Sequence, residues 1–282
     1  MKSDSAIRNP NSAFRYPRLF LTFARNSLIR DMSFRSNFLI ELVTGSVWVF
    51  MNLGFYLLIY QFTDSIAGWE KWEFFVFIAT SMLVNSTVQA VFMPNMQELS
   101  ELVRTGGLDF ALLKPIDTQF LLSLRRISWS SGGNFLVAIV LLVISLTQLP
   151  GQPTAVGAVL YPIYLVAGVL LLYSVMMTLA ATSIWLGRNQ SLYDFWFYIT
   201  SFSRYPMEIY SRSPLGDGLR MAFTYLIPIL VVINVPAQLM AKPLSSGGAV
   251  LAGYAVVATI GGLVFSRWLF KKALESYRSA SS

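Results

Sequence analysis

Glu41, Asp194 and Glu208 are the carboxylates of this chain that fall in or beside its long apolar runs, so acid–base or ion-coupling chemistry has to start from them. Glu41 and Asp194 stand near the ends of their runs, close to Arg35 and Arg188, which suits anchoring. Glu208, between Pro206 and Pro214, is the one that could face a cavity, and it is the candidate for a translocation path. Histidine and cysteine are both absent. That removes Cys/His metal centres, thiolate nucleophiles, a Ser-His-Asp triad and a histidine pH switch. A hydrolase built on carboxylates needs a pair of them or an activated nucleophile, and no pair occurs at a useful spacing. An ion-coupled carrier needs ionisable groups or carbonyls near the middle of the membrane, yet the central parts of runs 74–93, 128–148 and 249–270 carry no charge. There is no GxxxxGK[ST] either, so the chain has no phosphate-binding loop. Any energised movement it makes must draw on a partner.

A second group of polar residues is more orderly. The stretch ELVRTGGLDFALLKPID, residues 101–117, lies between two apolar runs and carries Glu101, Arg104, Asp109, Lys114 and Asp117. Just before and within it, Met96, Leu99 and Val103 share one helix face at i, i+3, i+7. Glu98, Glu101 and Arg104 take the opposite side, with Glu101 and Arg104 spaced to pair. Gly106-Gly107 is a helix stop, Lys114-Pro115 breaks a second short segment, and Asp117 is placed to cap the helix that leads into the next run. The expectation is a stiff amphipathic elbow suited to a groove on a soluble protein.

The elements that hold these groups are set by composition. Of 282 residues, 55% are hydrophobic and 12% charged, about half the charge of a soluble domain. The chain is therefore expected to be an all-α integral membrane protein. Seven basic residues lie in residues 1–35, and Arg267, Lys271, Lys272 and Arg278 lie near the other end. Basic flanks of this kind follow the positive-inside bias and do not point to nucleic acid. Residues 1–35 do not have the layout of a signal peptide and are expected to be cytoplasmic. On a helix, Tyr16, Leu19, Phe20, Phe23 and Ala24 share a face with Arg18 and Arg25 opposite, the pattern of a helix lying in the lipid interface.

Spans are expected at 36–60, 74–93, 128–148 and 155–186, the last long enough to tilt or to kink near Pro162. The loop between the first two carries Asp64, Glu70 and Glu73 against Lys71, with Trp69 and Trp72 at its edge, and so faces outside. Residues 94–127 are then cytoplasmic. The fifth crossing is either 190–206 or 219–240; charge counting favours the second, which keeps Arg204, Arg212 and Arg220 inside. A sixth, 249–270, returns to a cytoplasmic tail at 271–282.

Three stretches, ELVRTGGLDFALLKPID (101–117), RYPMEIY…LIPILVVINVPAQLM (204–240) and ALESYRSAS (273–281), together resemble an ABC-2-type permease of the six-span exporter class, in the ABC transport permease branch. The resemblance implies a transmembrane domain at 36–270 with an interface helix at 14–32 and a coupling helix within 94–127. The coupling residues would be Met96, Glu98, Leu99, Glu101, Val103, Arg104, Gly106, Gly107, Asp109, Lys114 and Pro115. It also implies a re-entrant hairpin at 207–241 near the outer face, against the charge count. It implies no cofactor on this chain. Two copies of a soluble ATPase would hold ATP and Mg, and a second permease, the same chain or a sister, would complete the path in a bacterial inner membrane. Gly132-Gly133 and Gly261-Gly262 would let helices pack closely and suit an amphipathic or lipidic cargo. An ion-coupled carrier and a non-transporting assembly factor are the rival expectations.

Overall fold

The computed structural model describes residues 12–186, 197–198, 200–242 and 246–277. Its helices in chain order are α1 (Ser12–Ser33), α2 (Arg35–Ile59), α3 (Lys71–Val91), α4 (Met93–Arg104), α5 (Gly107–Leu112), α6 (Thr118–Leu124), α7 (Gly132–Gln148) and α8 (Ala155–Leu186). A 3-10 turn (Met207–Arg212), α9 (Pro214–Met221), a π turn (Ala222–Leu226), α10 (Ile229–Ala241) and α11 (Ser246–Ser276) follow. The only described strands are Ser65–Ile66 and Trp69–Glu70, paired antiparallel between α2 and α3.

Among the described residues four helices are long and apolar enough to cross a membrane: Arg35–Ile59, Lys71–Arg104, Ala155–Trp185 and Gly247–Ser276. They carry little polar contrast around their circumference, as expected of helices surrounded by lipid and other helices, where the backbone must satisfy itself. Gly132–Gln148 is apolar but 17 residues long, at the lower limit for a span. It starts later than the sequence suggests because the Ser128 hydroxyl bonds those of Ser130 and Ser131 in a turn, while the Ser128 N–H donates to the Ala90 carbonyl. Pro162 sits inside a continuous α8.

The stretch 219–240 is not a single rod. Pro214–Leu226 and Ile229–Ala241 meet at 88°, with Pro228, which has no N–H to continue a ladder, at the break. The far end of α10 returns to the strand hairpin, where the Lys242 ammonium donates to the Gly68 carbonyl at 2.7 Å and stacks over the Trp69 ring. Glu208 meets the same corner: Trp69 Nε1 donates to one carboxylate oxygen at 3.1 Å and Gln238 Nε2 to the other at 3.0 Å. Trp69 is fully buried there. Residues 208, 238 and 242 are thus gathered at the hairpin end of the bundle. At the opposite end Trp185 Nε1 bonds the Ser276 hydroxyl. Residues 190–196, part of the other candidate crossing, lie outside the described residues, as do Arg188 and Asp194.

The core runs through α3, α4, α8 and α10, with Phe74, Phe77, Met96, Leu99, Leu172, Met177, Ile229 and Ile233 buried. α10 is enclosed on every side, Ile229 through Ala237 all being buried. Glycines on α8 make room for it. A Cβ at Gly168 would lie 2.8 Å from the Val232 carbonyl oxygen, and one at Gly157 would collide with the Leu239 carbonyl. Of the two glycine pairs singled out in the sequence, Gly133 packs against Leu42 and Gly262 against Ser174, while Gly132 and Gly261 face open space.

Candidate functional site

The elbow begins where α3 breaks at Phe92 and Pro94 opens α4, an early helix position at which a missing N–H costs nothing. Met96, Leu99 and Val103 form one side of α4, as their spacing suggests, and that side is buried in the protein's own core. Beside them, fully buried Asn95 clamps the connection after α6. Its Nδ2 donates to the Arg126 carbonyl at 2.7 Å and to the Val91 carbonyl at 2.8 Å, and its Oδ1 accepts from the Arg126 N–H at 2.9 Å. Glu98 adds ion pairs to Arg125 and, at 3.0 Å, to Arg126. Glu101 and Arg104 pair with each other at 2.6 Å on the exposed side. Their hydrogen bond holds the Glu101 carboxyl below its ordinary range, but an exposed pair adds little to stability.

The chain turns at Gly106, whose φ of +71° is left-handed and free of strain only for glycine. α5 then places Leu108 and Ala111 inside. Phe110, Leu112 and Leu113 point outward, with Phe110 73% and Leu113 80% exposed, and Lys114 and Pro115 are exposed beside them. An apolar tip is thus carried on a buried base. Asp117 caps α6 by accepting the Phe120 N–H at 2.9 Å. It is a short helix of its own and does not run into α7.

Asp117 also binds Arg267 of α11 through both carboxylate oxygens, and Arg267 Nη1 donates to Gln119 Oε1 at 2.9 Å. Burial opposes the Asp117 carboxylate, but the Arg267 and Phe120 hydrogen bonds outweigh it and hold the carboxyl below its ordinary range. Behind them the Tyr173 hydroxyl of α8 meets Gln119 Nε2 and Ser123 Oγ, each at 2.9 Å. Tyr277, just past α11, has its phenol pushed up by burial and by the Asp109 carboxylate.

α1 lies against this assembly. Ser27 Oγ accepts the Ile127 N–H at 3.1 Å, Asp31 accepts the Trp129 N–H at 3.0 Å, and Trp129 Nε1 donates to the Ala24 carbonyl at 3.1 Å. Tyr16 meets Phe120 edge-on and Phe23 packs on the core. Of the stripe expected to face lipid, Phe23 packs on the protein and Leu19, Phe20 and Ala24 are half-buried, while Tyr16 touches Phe120 and stays exposed. The surface left outward is Leu21, Leu28, Ile29 and Met32, with Arg18 and Arg25 also exposed. Helical periodicity identifies apolar stripes but not which of two stripes a neighbour takes.

A family model for ABC-2 family transporter proteins matches residues 46–281. The chain belongs to that family. No curated protein and no solved structure matches it. As an ABC-2 permease it is a multi-pass membrane protein and the transmembrane component of an ABC transporter, not itself catalytic. Such permeases typically work with an ATPase partner. The match takes in the elbow, the Glu208 corner and α11, and leaves out α1.

Within the permease, several joints have no sequence signal. Arg267 reads as one more basic flank, and nothing local pairs it with Asp117, 150 residues away. Asn95, Gln119 and Tyr173 are polar residues in apolar surroundings, a cue to partnership but not to the partner. Glu208 already holds a protein donor on each oxygen, so it ties three segments together at the hairpin corner. Glu41 accepts from Asn37, one turn earlier on α2, at 2.9 Å. Among the described residues no three acidic side chains converge. The elbow has a base buried in the core, an exposed apolar tip and a charged joint to α11.

Proposed function

We propose that this permease is driven from the cytoplasm by two copies of a soluble ATPase, which bind ATP and Mg and dock on the elbow. The observation that carries the reading is the outward tip Phe110, Leu112, Leu113, Lys114 and Pro115 on a base fixed by Asn95 and the core. Apolar side chains exposed on a short helix fit a groove in a soluble partner. Met96, Leu99 and Val103 serve as the base, and Glu101, Arg104 and Asp109 flank it. Motion at the tip would reach α3 through Asn95 and α11 through Asp117 and Arg267. A second permease, identical or a sister, would form the other wall of the path, and alternating access would export an amphipathic or lipidic cargo. Six crossings fit a bacterial inner membrane with both termini in the cytoplasm and 207–241 as a re-entrant element on the outer side. The gathering of Glu208, Gln238 and Lys242 at the hairpin corner supports that arrangement. α1 would rest in the inner interface through Leu21, Leu28, Ile29 and Met32.

The test is a mild-detergent pull-down of the tagged chain with quantification of what accompanies it. An ATPase recovered in near-equal amount supports the reading, and Phe110→Asp with Leu113→Asp is expected to lower that recovery at least tenfold while membrane insertion stays intact. Recovery unchanged by both substitutions sinks the docking assignment. A chain that purifies alone and moves cargo in liposomes without ATP is an ion-coupled carrier instead.

A further inference from the structure

α2 carries a row of polar side chains that nothing above employs. Asn37, Glu41, Thr44, Trp48 and Asn52 follow one another at intervals of four, three, four and four, which at about 100° per residue keeps them within about 80° of arc. The other faces of the helix are accounted for. Leu42 packs against Gly133 of α7, Asn134 of α7 stands against Gly45, and Tyr56 meets Phe74 of α3. Leu39, Val43, Val47 and Phe50 form an exposed side that is purely apolar. The polar row lies on neither. No residue of α2 is buried; Asn37, Glu41, Thr44 and Trp48 are exposed and Asn52 is half-buried. The 25-residue helix is about 37 Å long, only slightly longer than a ~30 Å hydrocarbon core. Glu41 to Asn52 therefore fall inside that core wherever along a crossing α2 it begins.

The hydrogen bonding of the row is half spent. Asn37 Nδ2 donates to one Glu41 oxygen at 2.9 Å, and Asn52 Nδ2 to the Trp48 carbonyl at 2.8 Å. Among the described residues Glu41 forms no ion pair, and the Trp48 indole N–H and the Thr44 hydroxyl make no hydrogen bond. Polar and ionised groups within a span face another helix or a water-filled path between chains, because hydrocarbon offers them no partner. Nothing described in this chain covers the row, so a second membrane chain must. The row keeps unspent donors on Thr44, Trp48 and the second N–H of Asn52, and unspent acceptors on Glu41 Oε2 and Asn52 Oδ1. A face with both is complementary to itself, as a two-fold contact between identical chains requires. We propose that the permease pairs through α2, the row of one copy lying against the row of a second copy in the same orientation. Two such helices crossing near Trp48 bring the Thr44 hydroxyls and Asn52 amides together and diverge toward Glu41, which keeps the two carboxylates apart. The proposal rests on the reading of the chain as one half of a two-permease path, and it names the partner, an identical chain, and the seam.

The absence of cysteine makes the seam readable in native membranes, by oxidative cross-linking of single cysteines with copper phenanthroline. Thr44→Cys and Trp48→Cys are expected to give about tenfold more disulfide-linked homodimer than Val43→Cys and Val47→Cys. Each control lies one residue round the helix at a comparably exposed position. Glu41→Leu combined with Asn52→Leu is expected to raise the dimer Kd about tenfold, read by light scattering over a concentration series in mild detergent, while Val47→Ala leaves it unchanged. Cross-linking that is equal on both faces, or absent from Thr44→Cys and Trp48→Cys, overturns the proposal. A cross-linked product whose mass is not that of two copies assigns the face to a different membrane protein and overturns it as well. If the double substitution does not reach the membrane, the four cysteine variants decide by themselves. The ATPase pull-down on the same proteins separates the two readings. A homodimer linked at Thr44 and Trp48 without any ATPase sinks the ATP-driven mechanism alone, and an ATPase recovered with a chain that does not link there sinks this inference alone.

Discussion

Replacing Asn95 with alanine tests whether the elbow has the rigid base that its role requires. The substitution removes three hydrogen bonds: two with the backbone of Arg126 and one with the Val91 carbonyl. The Arg126 N–H and carbonyl lose their partner next to a side chain that is 2% exposed. Leaving buried polar groups unpaired costs about 1–3 kcal/mol each, and partial access of water at Arg126 brings the expected total to about 2–4 kcal/mol. For a chain of this size that corresponds to a midpoint roughly 5–15 °C lower. Thermal unfolding in detergent, followed by tryptophan fluorescence, measures it. Asn95→Asp keeps the acceptor for the Arg126 N–H but turns a buried carboxylate oxygen toward the Arg126 and Val91 carbonyls, so it is expected to lower the midpoint at least as far as Asn95→Ala. Glu101→Ala is the control, since it removes only an exposed pair and should leave the midpoint where it was. If Asn95→Ala and Glu101→Ala behave alike, the elbow is not anchored by Asn95 and the rigid-base account is refuted.

The Asp117–Arg267 joint makes stability depend on pH in a defined direction. The folded Asp117 carboxyl lies below its ordinary value of about 3.9, so its contribution is complete above that value and is lost as pH falls through the lower, folded one. The midpoint difference between wild type and Asp117→Asn should be constant from neutral pH to about 5 and shrink below about 4; a difference that persists unchanged to pH 3 counts against the joint. Topology can be read with Ser213→Cys in this cysteine-free chain. An impermeant thiol reagent added outside intact cells should label it if 207–241 is re-entrant at the outer face, and labelling only after permeabilisation would place it inside.

How much of this was legible in the sequence depends on the range of each signal. The elbow's breaks at Gly106 and Lys114-Pro115 and its cap at Asp117 were readable because each acts within a few residues. The alternation of Met96, Leu99 and Val103 with Glu98, Glu101 and Arg104 was readable for the same reason. The use of those faces was not. Met96, Leu99 and Val103 hold the elbow to the bundle, and the exposed apolar surface is Phe110, Leu112 and Leu113, whose short segment has too few turns to display a period. The stripe of α1 was likewise visible, yet Phe23 packs on the protein and Leu21, Ile29 and Met32 point outward.

By itself the sequence determined that the chain belongs in a membrane and where its elbow breaks at Gly106 and is capped at Asp117. Composition, period and turn residues are properties of a window, and folding does not alter them. Only the tertiary structure decided which helices touch. In helices that are apolar on every side no polar contrast marks the buried face, so α8 and α10 find each other through bare backbone at Gly157 and Gly168. Likewise only the fold set the 88° bend at Pro228 and joined Arg267 to Asp117. Those are pairings between residues far apart in the chain, and their energies come from close approach, which no local pattern encodes.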